Sequence, residues 1–210
     1  MANPVTVSST LPTADADGIA AAQTLAAAGN VAINGALATG GVATLTSAGT
    51  ARQVLITSAA DDTGVVFTIY GTNATGNPIQ ENLTGTSGST ATSALYYRTV
   101  TRVYASAATA GDITIGTNGV GVSRVVNIDT ALNPIQVTIV AAVSGTINYS
   151  LQWTDGDIQG SPVWTTDANM ASKSGAFTAN NLFPVSGYRM LINSGTGTVT
   201  ATYLQSGLGS

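Results

Sequence analysis

The chain has no cysteine and no histidine among its 210 residues. Thiolate nucleophiles, disulfides and imidazole bases are excluded, together with the nitrogen and sulfur ligands that transition metals prefer. Charge is scarce as well: Asp, Glu, Lys and Arg make up 8% of the residues, against about 25% in an ordinary soluble domain. Lys173 is the only lysine and Glu81 the only glutamate. The mean hydropathy is +0.27, yet no uninterrupted apolar run approaches the roughly 18 residues a spanning helix requires, and no membrane partner is expected. The opening MANPVTVSST has neither a basic nor an apolar signal region, so no secretory leader is expected. Net charge is -4 with the six cations scattered along the chain, whereas counterion release from nucleic acid wants a basic stripe. Low charge also weakens the barrier to self-association, which suits a subunit and leads us to expect a homo-oligomer.

What the chain does contain is strand signal. In TINYSLQW, Ile147, Tyr149, Leu151 and Trp153 fall on one face and Asn148, Ser150 and Gln152 on the other. The same alternation runs through RQVLITS, VVFTIYG, PIQENLTG, YYRTVTRVYAS, GDITIG, PIQVTIVAAV, YRMLINS and TVTATYLQ. Gly40-Gly41, Asn118-Gly119 and Asp155-Gly156 supply turn dipeptides, and Asn77-Pro78 favours an extended start to the next strand. The expected fold is all-β, with antiparallel β-sandwich or barrel domains, two in tandem. DGIAAAQTLAAAGN admits two readings: a short helix capped by Asp17 and Gly29, or part of an extended arm. The Gly-rich GTNGVGVS, from Gly116 to Ser123, reads as the boundary between two blocks of strands. The expected organisation is an N-terminal arm or short helix over 1–30, a first β domain over 31–120 and a second over 121–210. Asp155 to Pro184 reads as the main loop excursion.

Few residues are left for chemistry. A Ser-Lys dyad would need Lys173, which sits among small polar residues and reads as a solvated loop lysine. The carboxylate pairs Asp15/Asp17, Asp61/Asp62 and Asp155/Asp157 have spacings that suit a hard cation or a glycosidase, but each adjoins turn residues, where Asp serves the backbone. No catalytic residue, cofactor or metal site is expected. Glu81 is more informative, because alternation puts it on the face of Ile79 and Leu83. A charge pointing inward needs a partner, and Arg98 and Arg102 are the same-face candidates for a cross-strand ion pair. Trp164 and Tyr188 are candidate interface or glycan-stacking aromatics, while alternation assigns Trp153 to the core. The sequons at Asn73, Asn82 and Asn148 follow from composition, and GTNGVG lacks the context of a phosphate-binding loop.

FTIYGTNATGNPIQENLTG, followed by YYRTVTRVYASAATAGDITIGTNGVG and preceded by TADADGIAAAQTLAAAGNVAINGALATGG, resembles segments of structural proteins in tailed bacteriophage virions. The resemblance covers mainly the first 125 residues. It implies a virion subunit made in the bacterial host cytoplasm and carried in many copies, with other virion proteins as partners. A capsid decoration (cement) protein on the major capsid protein is the first expectation. A neck or tail component is the alternative, and a receptor- or glycan-binding β module is the second.

Overall fold

A computed structural model describes residues 4–47, 49–158 and 162–209. Alternation becomes strand throughout: β1 Val5–Thr10, β2 Asp15–Gln23, β3 Gly29–Asn30, β4 Ala38–Thr39, β5 Val42–Thr44, β6 Thr50–Ser58, β7 Val66–Thr72, β8 Pro78–Thr84, β9 Thr90–Thr92, β10 Thr99–Ala105, β11 Ile113–Ser123, β12 Val126–Asn127, β13 Leu132–Ser144, β14 Ile147–Thr154, β15 Thr165–Thr166, β16 Phe177–Asn181, β17 Gly187–Gly195 and β18 Thr198–Gly209. The one helical turn among the described residues is a 3-10 turn at Ala168–Met170, capped by the Asp167 carboxylate. The molecule is all-β, and its strand pairs are antiparallel.

Two compact units form, one from Met1–Leu11 with Val122–Ser210 and the other from Pro12–Gly121; we call them the terminal and central units. In the terminal unit a four-stranded sheet runs β1-β18-β13-β16, and β14 and β17 pair in a second sheet. Val137, Ile139 and Ala141 of β13 and Val199, Ala201 and Tyr203 of β18 share one core with Tyr149, Leu151, Tyr188, Met190 and Ile192 from β14 and β17. Alternate residues of both sheets therefore meet, which is the packing of a β-sandwich. The larger aliphatic side chains among them contribute about 1.5–3 kcal/mol each by burial.

The central unit repeats the arrangement. One sheet runs β4-β5-β10-β7-β8, with β3 added to β10, and β6 and β9 pair in the other, which also holds β11 and its neighbour β2. Phe67, Ile69, Val100 and Val103 from the first share a core with Val54, Ile56, Ile113 and Ile115 from the second.

Two local expectations are corrected. The segment read as a short helix or arm is strand: residues 5–10 pair with β18 in the terminal unit, and residues 15–23 pair with β11 in the central unit. As a helix the alanines would offer only a narrow apolar stripe, whereas β2 buries Ile19 and Ala20 completely. GTNGVGVS, read as the boundary between two blocks of strands, is the second half of β11, and the units divide inside that strand, after Gly121. Its glycine has a steric purpose: a Cβ on Gly116 would overlap the Asp15 carbonyl oxygen and Ala16 of β2. Asn118-Gly119 accordingly lies within a strand rather than a turn. Gly40 and Gly41, at φ 60° and 79°, do make the two-residue turn between β4 and β5, in the positive-φ pair that a type I′ hairpin needs. Pro78 opens β8. The connection from Asp155 to Pro184 holds β15, the 3-10 turn and β16.

Candidate interaction surfaces

Glu81 does lie on the half-buried face of β8 with Ile79 and Leu83, but its partners differ from the expected arginines. Its carboxylate accepts hydrogen bonds from the Ala94 N–H at 2.7 Å and the Leu95 N–H at 3.0 Å. The reason is strand order. β7 lies between β8 and β10; Glu81 is opposite Ile69 and Arg102 opposite Tyr70, and successive residues of β7 face opposite sides of the sheet. Glu81 and Arg102 are therefore on different faces, and no ion pair joins them. The Arg98 main chain donates to the Thr72 carbonyl and accepts from Leu45, while its Nε is buried without a hydrogen-bond partner among the described residues.

Arg102 is held on the outer face instead. Its guanidinium carbon lies 5.1 Å from the Tyr70 ring centroid and 5.2 Å from that of Tyr104, and its Nε donates to Asn30 Oδ1 at 2.8 Å. Sequence reasoning missed this seat. Half of it was legible, since Arg102 and Tyr104 stand two apart on one strand; Tyr70 joins only through the β7–β10 register.

The paired-aromatic expectation also changes. Tyr188 is 0% exposed, with its ring 5.7 Å from Tyr203 and its hydroxyl bonded by the Asn181 amide. Burial pushes that hydroxyl up to about 12. Its neighbour Arg189 turns to the other face of β17, where it lies over Trp164 at 4.3 Å and donates to Gln152. Trp164 and Tyr188 consequently form no common platform. Trp153 packs against the core and meets the half-exposed Phe183 edge-on at 5.0 Å.

Of the carboxylate pairs, Asp61/Asp62 serves a loop, whereas Asp15 and Asp17 lie in strand β2 and not in a turn. Asp61 accepts from the Thr63 N–H and hydroxyl, which holds it below the usual carboxylate range, and buried Asp62 accepts from the Ala110 N–H at 2.7 Å. No group of three His, Cys, Asp or Glu is placed to hold a metal ion among the described residues. Lys173 exchanges main-chain hydrogen bonds with Tyr149 and sets its ammonium over the Phe177 ring. The buried cation is Arg52, whose guanidinium donates to the carbonyls of Thr13 and Asn118. Burial lowers its pKa, and the charge of Asp15 partly offsets that.

The most unusual surface belongs to the terminal unit. None of the strands β1, β18, β13 and β16 contains an Asp, Glu, Lys or Arg. On the outer face Thr6 meets Thr202, Ser8 meets Thr200 and Thr10 meets Thr198, with hydroxyl oxygens 3.1, 2.7 and 2.7 Å apart. Beside this ladder Val140 and Leu204 are 47% and 43% exposed, and Thr138 bonds Asn180 at 2.8 Å. β1 and β16 end the sheet, so each presents one edge of main chain to no strand among the described residues. No protein-family model and no curated protein matches the chain.

Proposed function

We propose that this chain is a non-enzymatic structural subunit that packs its charge-free sheet against other subunits of a larger assembly. The observation that carries the reading is β1 together with the face beside it. Edge strands of free monomers are guarded by charge, proline, bulges or covering loops. β1, VTVSST, has no charge or proline and pairs with β18 without a register break. Such an edge is suited to strand addition, and the flat hydroxyl face around Val140 and Leu204 is suited to close packing of like or unlike subunits.

The resemblance of residues 1–125 to tailed-phage structural proteins supports placing that assembly on a virion. Within it, a capsid decoration protein bound to the major capsid protein is our first choice, and a neck or tail component the second. Cryo-electron microscopy of the particle that carries the protein tests the placement: density bridging capsomers on the outer shell is expected, and density confined to neck or tail would replace decoration by the alternative. Sedimentation of Thr6→Lys and Val140→Lys tests the surface. Both variants should lose self-association or particle binding while keeping their unfolding midpoints, since exposed substitutions shift stability by only about 0.5 kcal/mol. Unchanged assembly in both would remove the charge-free sheet from the proposal.

A further inference from the structure

The outer face of the central unit poses a separate question, because Arg102 is an exposed cation held in a rigid seat with no carboxylate among the described residues to neutralise it. Two tyrosine rings flank it and Asn30 fixes its Nε. The terminal amino groups have no partner among the described residues, and no carboxylate of those residues pairs with them. Guanidinium forks that are immobilised and unpaired match a carboxylate bidentately, and ordering the side chain beforehand removes the entropy that a flexible lysine would lose on binding.

The β-sheet geometry at this point is also irregular. The β7–β10 register shifts between Val100 and Arg102, so Thr101 is the extra residue of a bulge, and it and Arg102 are both exposed on consecutive positions. Bulges re-aim side chains and recur beside functional sites. Thr101 lines a shallow cleft of about 370 Å³ together with Tyr70, Gly71, Pro78, Ile79 and Gln80. That volume falls at the small end of ligand sites, which begin near 300 Å³. Its lining offers a flat ring, a primary amide and a hydroxyl, a set suited to a hydroxylated ring.

We propose that this cleft binds a carboxylate-bearing sugar, with Arg102 taking the carboxylate and Tyr70, Gln80 and Thr101 contacting the sugar ring. A carboxylate fits better than a phosphate, because no lysine or arginine lines the cleft itself and a single guanidinium, that of Arg102 stacked on the lining ring of Tyr70, stands beside it. The site lies wholly on the central unit and is independent of the assembly surface on the terminal unit. Loss of one reading leaves the other untouched.

The test is calorimetric titration of the full chain with sialyllactose, digalacturonate, lactose and inorganic phosphate. The two acidic sugars distinguish a sialic acid from a uronic acid as the source of the carboxylate. At least one of them should bind, with lactose and phosphate weaker by about tenfold or more. Arg102→Gln should lose the same factor and Gln80→Leu a smaller one, while the unfolding midpoint of each variant stays with the parent. The proposal is overturned if neither acidic sugar binds at millimolar concentration, if lactose or phosphate binds equally well, or if Arg102→Gln binds as the parent does.

Discussion

At the scale of single residues, polar side chains in this molecule serve the backbone more than they serve one another. Glu81 holds two consecutive amide groups, those of Ala94 and Leu95, and so fixes the segment leading from β9 towards β10. Glu81→Gln keeps the shape but replaces one acceptor oxygen by an NH₂ that faces a donor. A loss of about 1–2 kcal/mol is expected, since hydrogen bonds to charged groups are worth more than neutral ones; denaturant unfolding of the variant measures it. A midpoint equal to the parent's would show that the two amides find water instead. Arg52 acts in the same manner at full burial, with carbonyl groups rather than carboxylates as acceptors. Sequence patterning correctly put Glu81 on the inward face, because period-two alternation decides that locally. It did not supply the partner, because strand order inserted β7 between β8 and β10.

At the scale of elements, the long strands were legible wherever large apolar residues alternated with polar ones, as in β7, β14 and β17. β2 was not, because alanine is apolar at every position and marks neither a period of two nor one of 3.6. The Gly-rich half of β11 was not legible as strand for a related reason: composition shows that side chains are missing and not what occupies their place. At Gly116 the place is taken by the β2 backbone. A pair of substitutions in this one stretch separates the two meanings of glycine. Gly116→Ala should destabilise the protein by about 3 kcal/mol, at the upper end of overpacking effects. Gly119→Ala, with open space around the added methyl group, should change stability by about 0.5 kcal/mol or less. Thermal unfolding of both, side by side, checks the contrast, and equal effects would mean that β2 does not press on β11 as described.

At the scale of the whole molecule, the absence of histidine and cysteine leaves no side chain to titrate between about pH 6 and 9, so stability should be level across that range. Above it the tyrosines take over. Burial raises the hydroxyl pKa of Tyr97, Tyr149, Tyr188 and Tyr203, and the charge of Glu81 adds to the effect at Tyr97. In the unfolded chain these groups ionise near pH 10, and there the unfolded state releases protons that the folded state still holds. The stabilisation is therefore complete below about pH 10 and is lost as pH rises towards the folded values, by up to about 1.4 kcal/mol per pH unit for each tyrosine. Urea unfolding followed from pH 7 to 12 should show a plateau and then a steep fall, with the phenolate absorbance of four of the seven tyrosines appearing together with loss of structure. Phenolate absorbance exceeding that of three tyrosines while the fold is still intact would contradict the burial of these four rings. The charge-free sheet carries a consequence of another kind. Ionic strength weakens contacts by screening, and strands β1, β18, β13 and β16 offer nothing to screen. Any contact made there should persist from dilute buffer to brine and tighten in molar sulfate.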